Sequence, residues 1–154
     1  MRVPPPIYAV LTAGLMWLVD RNLPLWRVLH PPYCDLGWAL MMLGAAFDAA
    51  SFMLFIRART TINPVRPERT RQLVTAGLYR ISRNPMYLGL ALVLTGWALR
   101  LGSLGPWVLV AGFVQLISIV QIRPEEAALA ERFGRRYLEY CRHVNRWVGW
   151  RRGA

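Results

Sequence analysis

Four apolar runs, at residues 7–19, 36–56, 86–99 and 104–122, alternate with charged or Pro/Gly-bearing stretches, and no other feature constrains the fold as tightly. A helix needs roughly 20 apolar residues, at about 1.5 Å of rise each, to cross the hydrocarbon core of a bilayer. The second and fourth runs reach that length unaided. The first reaches it only by continuing to about Trp26 through Asp20, Arg21 and Asn22, and the third only if Arg100 snorkels to the interface. At 154 residues and 55% hydrophobic composition, the chain has room for one domain and too much apolar surface for an ordinary soluble one. The expectation is therefore an all-α integral membrane protein forming a single domain over residues 1–154. It has about four transmembrane helices (7–26, 36–57, 85–101 and 104–122), a cytosolic loop at 58–84 and a cytosolic tail at 123–154. No cleavable signal peptide is needed to explain the start, because Pro4-Pro5-Pro6 precedes the first run and no small-residue cleavage site closes it.

A formal charge of +11 invites a nucleic-acid reading, which the distribution of charge argues against. All nineteen basic residues are arginine, seven of them between Arg57 and Arg83 and eight between Arg123 and Arg152. These are the segments that follow helices two and four, so both lie on one side, which the positive-inside rule makes cytoplasmic. In the opposite-side segments stand only Arg21, Arg27 and Arg100. With no groove-reading motif, the excess reads as topology, with no nucleic-acid partner and an inner-membrane location. Cys34 and Cys141 fall on opposite sides and should not pair, and their spacing makes no metal site.

Within this frame, small residues at Gly44, Ala45, Ala46, Ala49, Ala50 and Ser51 mark helix two as a close-packing helix. Asn84-Pro85 reads as a helix start, with Asn as N-cap and Pro at the first helical position. Residues 102–106, Gly-Ser-Leu-Gly-Pro, form a turn between helices three and four. In the tail, Leu129, Phe133, Tyr137, Tyr140, Val144 and Trp147 recur at three- and four-residue steps opposite arginines, predicting an amphipathic helix against the membrane face or the bundle.

The chemistry lies in two blocks. Residues 73–89 read L-V-T-x-G-x-Y-x-x-x-R-N-P-M-Y-L-G, a basic and aromatic loop entering helix three. Residues 125–140 read E-E-x-x-L-x-x-x-F-G-x-x-Y-x-x-Y, directly after helix four. Both blocks sit at the same predicted membrane face. Taken singly, the tyrosines pass for interfacial aromatics, Asn84 for a cap, and Glu125-Glu126 for first-turn acids; their joint spacing marks a site.

These two motifs resemble those of the isoprenylcysteine carboxyl methyltransferase family, integral-membrane enzymes that use S-adenosylmethionine and are related to phospholipid N-methyltransferases. The likeness covers roughly residues 64–147. It implies a cofactor held on the cytosolic side by Leu73, Val74, Tyr79, Asn84, Pro85, Met86, Tyr87, Glu125 and Glu126, with Arg83, Gln121 and Arg123 toward the acceptor, and no metal. The residues suit that cofactor. Tyr79 and Tyr87 offer ring faces to an adenine or a sulfonium, Glu125 can accept from ribose hydroxyls or an ammonium, and Arg83 with the free N–H groups of the helix start can receive a carboxylate.

Two positions depart from the family pattern. Asn84 stands where relatives carry histidine, and Gln121 stands where they carry a substrate-side arginine, with Arg123 two residues on. The N-terminal region, with two helices before the first block, is also short. Methyl transfer from a sulfonium is a direct displacement, so the protein chiefly aligns donor and acceptor and excludes water. Of the two histidines, His30 lies on the far side and His143 in the tail. That scarcity of bases favours a carboxylate or thiolate acceptor over an ammonium, which must first lose a proton. The expected reaction is O-methylation of the carboxylate of a lipophilic, isoprenylcysteine-like acceptor entering from the membrane. Phospholipid-amine N-methylation and thiol S-methylation are the alternatives within the family. A small proton-coupled transporter built around the intramembrane carboxylate Asp48 is the alternative of a different class.

Overall fold

The computed structural model describes residues 3–23, 27, 32–57 and 73–150. Trp26, His30, most of the expected cytosolic loop (58–72) and the last four residues lie outside them. The described residues form six α-helices: α1 (Pro5–Asn22), α2 (Leu36–Arg57), α3 (Pro85–Leu101), α4 (Gly105–Ile117), α5 (Arg123–Phe133) and α6 (Arg135–His143). Short 3-10 turns precede α2 (Tyr33–Asp35) and α3 (Gly77–Arg80). The helix α1 stops at Asn22, its end closed by the Leu23 N–H on the Val19 carbonyl, instead of running to Trp26.

Two helical stretches, Tyr33–Leu54 and Gly105–Phe133, are long and apolar enough to cross a membrane, and α3 is a shorter apolar helix. Little of the first stretch, about 17%, is buried inside the chain, so most of its apolar side chains point outward. Trp38, Met42, Phe52 and Met53 on α2, Val10 and Leu11 on α1, and Val108 on α4 are all exposed. Exposed apolar surface on this scale suits lipid better than water as the surrounding solvent.

Helix α2 packs chiefly on α3, while α1 packs on α4 and α3. The α2–α3 contact is set by glycines seven residues apart, Gly37 and Gly44 facing Gly96 and Gly89. A Cβ on Gly44 would come within 2.6 Å of the Gly89 carbonyl and 2.8 Å of Val93, so the backbones touch where side chains would normally separate them. The packing face is thus Gly37, Gly44, Asp48 and Ser51. Of the small residues expected to pack, Ala45, Ala46, Ala49 and Ala50 do not belong to it. On the other side of the bundle, Trp97 Nε1 donates to the Ala13 carbonyl (3.2 Å). At the end away from residues 73–84, Ser103 bonds Asp20 (2.5 Å) and Arg100 pairs with Asp35 (2.8 Å) while lying over the Trp38 ring. Helix α3 closes at Gly102, whose N–H still reaches the Ala98 carbonyl and whose positive φ of 80° then turns the chain out of the helix.

Helix four does not end at residue 122. It passes through a π-helical turn, Ser118–Ile122, and continues as α5, so that Gly105–Phe133 is one helical run. Pro124 explains the widened turn: a proline inside a helix cannot donate to the carbonyl four residues back. Lengthening the local bonds to i→i−5, as in Arg123 N–H to Ser118 O, accommodates it. The tail is not one amphipathic helix either. Gly134, at φ 51°, breaks it between α5 and α6, and Val144 and Trp147 lie beyond the last helical residue. Cys34 and Cys141 are free thiols.

Candidate active site

The first block reaches α3 through an engaged loop. After the half-buried Leu73 and Val74, the 3-10 turn Gly77–Arg80 buries Tyr79 to 7% exposure. The Pro85 ring then starts α3 at its first position. Asn84 occupies the N-cap position, but its side chain does not cap the helix. It donates from Nδ2 to the Arg146 carbonyl (3.2 Å), while its own backbone N–H is bound by Ser82 Oγ (3.0 Å). The N-cap side chain is drawn away because the segment after α6 folds back as a strap over the loop. Arg83 N–H donates to the Asn145 carbonyl (3.1 Å), Gly149 N–H to the Ile81 carbonyl (2.9 Å), and Trp150 Nε1 to the Arg80 carbonyl.

Two residues into α3, Tyr87 is 6% exposed and donates its hydroxyl to Glu125 Oε1 at 2.6 Å. That bond joins the two sequence blocks across 38 positions. It forms because the start of α3 and the passage from α4 into α5 lie on the same side, with Glu125 in the first turn of α5. Glu126 points elsewhere. Arg146 grips it with Nε (3.1 Å) and Nη2 (2.6 Å) on Oε2, and Arg83 Nη2 reaches Oε1 at 3.1 Å. The Glu126 hydrogen bond holds the Arg146 guanidinium above the usual arginine range, ahead of the opposing effect of partial burial.

Three tyrosines complete the cluster. Tyr140 donates its hydroxyl to the Tyr79 carbonyl (2.6 Å), and Tyr137 stacks obliquely on Tyr140 with ring centroids 6.2 Å apart. Burial pushes all three phenols well above the ordinary tyrosine range. For Tyr79 the neighbouring Tyr140 and Glu125 push the same way, and for Tyr137 the Cys141 and Glu126 side chains do so against the lowering field of Arg83. For Tyr140, the Arg83 charge likewise opposes burial. All three hydroxyls are therefore hydrogen-bond donors at any physiological pH. Because these phenols ionise at about pH 10 once the chain unfolds, the unfolded state sheds protons there that the folded state keeps. Stability should therefore be flat below that pH and fall as pH rises past it. Thermal unfolding midpoints across pH 7–11, with tyrosinate absorbance recorded in parallel, would check this; full tyrosinate absorbance before unfolding would contradict it.

The remaining expected residues are placed less centrally. Pro85 is fully buried and Met86 half-buried. Gln121, only 1% exposed, donates from Nε2 to the Val3 carbonyl (2.7 Å) and leaves Oε1 buried without a partner. Arg123 is exposed at the start of α5. Sequence reasoning missed Ser82, an unspecified position within the first block, and Arg146, which stands outside both blocks. A weak signal was a lone arginine set beside Trp147 after the α6 pattern fades. Among the described residues, no three His, Cys, Asp or Glu side chains gather as a metal site. Beside the loop, an apolar groove of about 450 Å³ runs between the end of α2 and the 3-10 turn, walled by Met53, Leu54, Arg57, Leu78 and Ile81.

The family model described as phospholipid methyltransferase matches residues 34–136, a span that contains the first block, the second block as far as Arg136, and the Tyr87–Glu125 contact. The chain belongs to the phospholipid methyltransferase family. Among curated relatives of the family, a protein-S-isoprenylcysteine O-methyltransferase B of Arabidopsis thaliana is 29% identical over 110 residues, 71% of this chain and 56% of that protein. A methanethiol S-methyltransferase 1 of Bradyrhizobium diazoefficiens is 30% identical over 158 residues, 96% of this chain and 54% of that one. A Delta(14)-sterol reductase of Mus musculus is 34% identical over 76 residues, covering only 48% of this chain and 18% of the reductase. The chain thus spans about half the length of the two methyltransferases it matches. No solved structure matches it.

Proposed function

We propose that this chain is an S-adenosylmethionine-dependent methyltransferase that acts at the cytosolic face of the inner membrane on a lipophilic acceptor. The observation that carries the reading is the 2.6 Å bond from Tyr87 to Glu125, which brings the aromatic block and the acidic block of the family pattern into one cluster. The donor set fits the cofactor: ring faces at Tyr79 and Tyr87 for an adenine or a sulfonium, a carboxylate at Glu125 for ribose hydroxyls or an ammonium, and Arg83 for a carboxylate. By the family resemblance, Leu73, Val74, Asn84, Pro85 and Met86 are assigned to the same cofactor site. When bound, the cofactor supplies a methyl group on a positively charged sulfur. The chain's own part is to hold both reactants in line and keep water out, and no buried histidine is needed for that.

The arginine-rich segments after α2 and in the tail support a topology of four spans with the site toward the cytosol. The apolar groove beside Leu78 and Ile81 suits an acyl or isoprenoid tail whose polar head reaches the cluster. For that head we favour the carboxylate of an isoprenylcysteine-like compound, with the exposed Arg123 as its counter-charge. Gln121 favours a second reading, S-methylation of a thiol, because its buried Oε1, which has no hydrogen-bond partner, can accept from an incoming S–H but offers nothing to a carboxylate.

An assay of radiolabelled methyl transfer to a prenylcysteine analogue and to a small alkyl thiol separates the two. With the first reading, methyl ester accumulates, and Arg123→Ala raises the acceptor KM by about tenfold, the value of one charge-assisted bond, with cofactor affinity unchanged. Transfer to the thiol alone moves the assignment to the second reading, and transfer to neither acceptor removes both.

A further inference from the structure

The two adjacent glutamates at the start of α5 have different partners, and the difference points to a residue outside both sequence blocks. Glu125 faces Tyr87. Glu126 is held in a three-member ion cluster with Arg83 from the loop and Arg146 from the strap, both of its carboxylate oxygens engaged at 2.6–3.2 Å. Successive side chains on a helix splay about 100° apart, so fixing the direction of Glu126 fixes the rotation of the α5 first turn, and with it the direction of Glu125. The strap is itself tied down: the Arg146 carbonyl receives Asn84 Nδ2 (3.2 Å) and Ser82 Oγ (3.4 Å). Arg146 therefore touches α5 with its side chain and the start of α3 with its backbone, bridging the two elements that carry Glu125 and Tyr87.

We infer that Arg146 and Glu126 are positioning residues: their ion pair sets α5 against α3 so that Glu125 meets Tyr87, and Glu126 is a structural anchor instead of a cofactor contact. This rests on the reading of Tyr87 and Glu125 as cofactor residues for its consequence, but the geometric statement stands apart from it. A cluster held by charge alone should tolerate reversal of the pair, because exchanging the two side chains still leaves one carboxylate among two guanidiniums, one of them that of Arg83.

Two readouts on the full chain in detergent test the proposal. The first needs no cofactor. With ring-labelled tyrosine, the ¹³Cζ resonance of Tyr87, assigned by its loss in Tyr87→Phe, should shift in Arg146→Ala toward its position in Glu125→Ala. It should return in the double variant Glu126→Arg/Arg146→Glu. The second is affinity for S-adenosylmethionine, expected to weaken about tenfold in Arg146→Ala and to recover to within about threefold in the reversed pair. A Tyr87 resonance that stays at the parent position in folded Arg146→Ala overturns the inference. So does a reversed pair that restores the resonance but leaves affinity as weak as the single variant, which would mean that Arg146 or Glu126 contacts the cofactor directly. Parent protein that shows the resonance behaviour but binds no cofactor refutes the proposed function and leaves the positioning role standing.

Discussion

Glu125→Ala should weaken S-adenosylmethionine binding by roughly ten- to a hundredfold, because losing one charge-assisted hydrogen bond in a poorly hydrated site costs about 1.5–3 kcal/mol. Glu125 is placed for a large effect. It accepts the Tyr87 hydroxyl at 2.6 Å, and it helps to hold the Tyr79 phenol above its ordinary range, so its charge is felt by both aromatic residues proposed to face the cofactor. Removing it would delete a proposed cofactor contact and release the Tyr87 hydroxyl from its partner together. Tyr87→Phe keeps the ring and loses only the hydroxyl, so it should cost less, about three- to tenfold. Calorimetric titration of the two variants beside the parent gives the ranking. Equal affinities for Glu125→Ala and the parent would detach the acidic block from the cofactor.

A large effect on stability is expected at Gly89, the last residue of the first block. A Cβ there would drive into Asp48 and lie 2.8 Å from the Gly44 carbonyl, and a backbone atom cannot rotate away. Gly89→Ala should therefore force α2 and α3 apart, at a cost at the upper end of the roughly 1–3 kcal/mol usual for overpacking, and Gly89→Val should cost more. Gly112 is the internal control: a Cβ there meets nothing within 4 Å. Gly112→Ala should be neutral or raise stability by up to about 1 kcal/mol through helix propensity alone. Unfolding midpoints in one detergent, read side by side, check the contrast. Because Tyr87 lies two residues before Gly89 on the same helix, Gly89→Ala should also lower cofactor affinity even where it folds. Identical midpoints for the Gly89 and Gly112 variants would mean that the glycine face does not set the α2–α3 distance.

The helices were legible because burial in an apolar surrounding depends on run length, which a single sequence displays. The runs at 36–56 and 86–99 became α2 and α3 with ends moved by one or two residues, and Pro85 marked the start of α3 as a residue that fits only the first helical turn. The convergence of the two polar blocks was legible for a related reason: two apolar helices joined by a short turn must bring the start of the first and the end of the second to the same end of the hairpin. What the sequence hid was geometry that cancels a local rule. Pro124 and the glutamates after it read as the start of a new segment, yet the π turn at Ser118–Ile122 absorbs the missing donor and carries the helix onward to Phe133. Alanines in α2 looked like the packing face, whereas the seven-residue recurrence of Gly37, Gly44 and Ser51 chose it. Asn84 carried an N-cap signal that the Arg146 carbonyl, 62 positions away, redirected. Arg146 itself had no readable partner, because an ion pair with Glu126 exists only after the strap has folded over the loop.

Cofactor binding by the unmodified protein is the most direct test. Detergent-purified, folded chain titrated calorimetrically with S-adenosylmethionine should show saturable heat with a Kd in the range of about a micromolar or tighter, near −8 kcal/mol, and a matching upward shift of the unfolding midpoint. No heat and no thermal shift at millimolar cofactor would contradict the assignment of the Tyr79, Tyr87 and Glu125 cluster as a methyl-donor site.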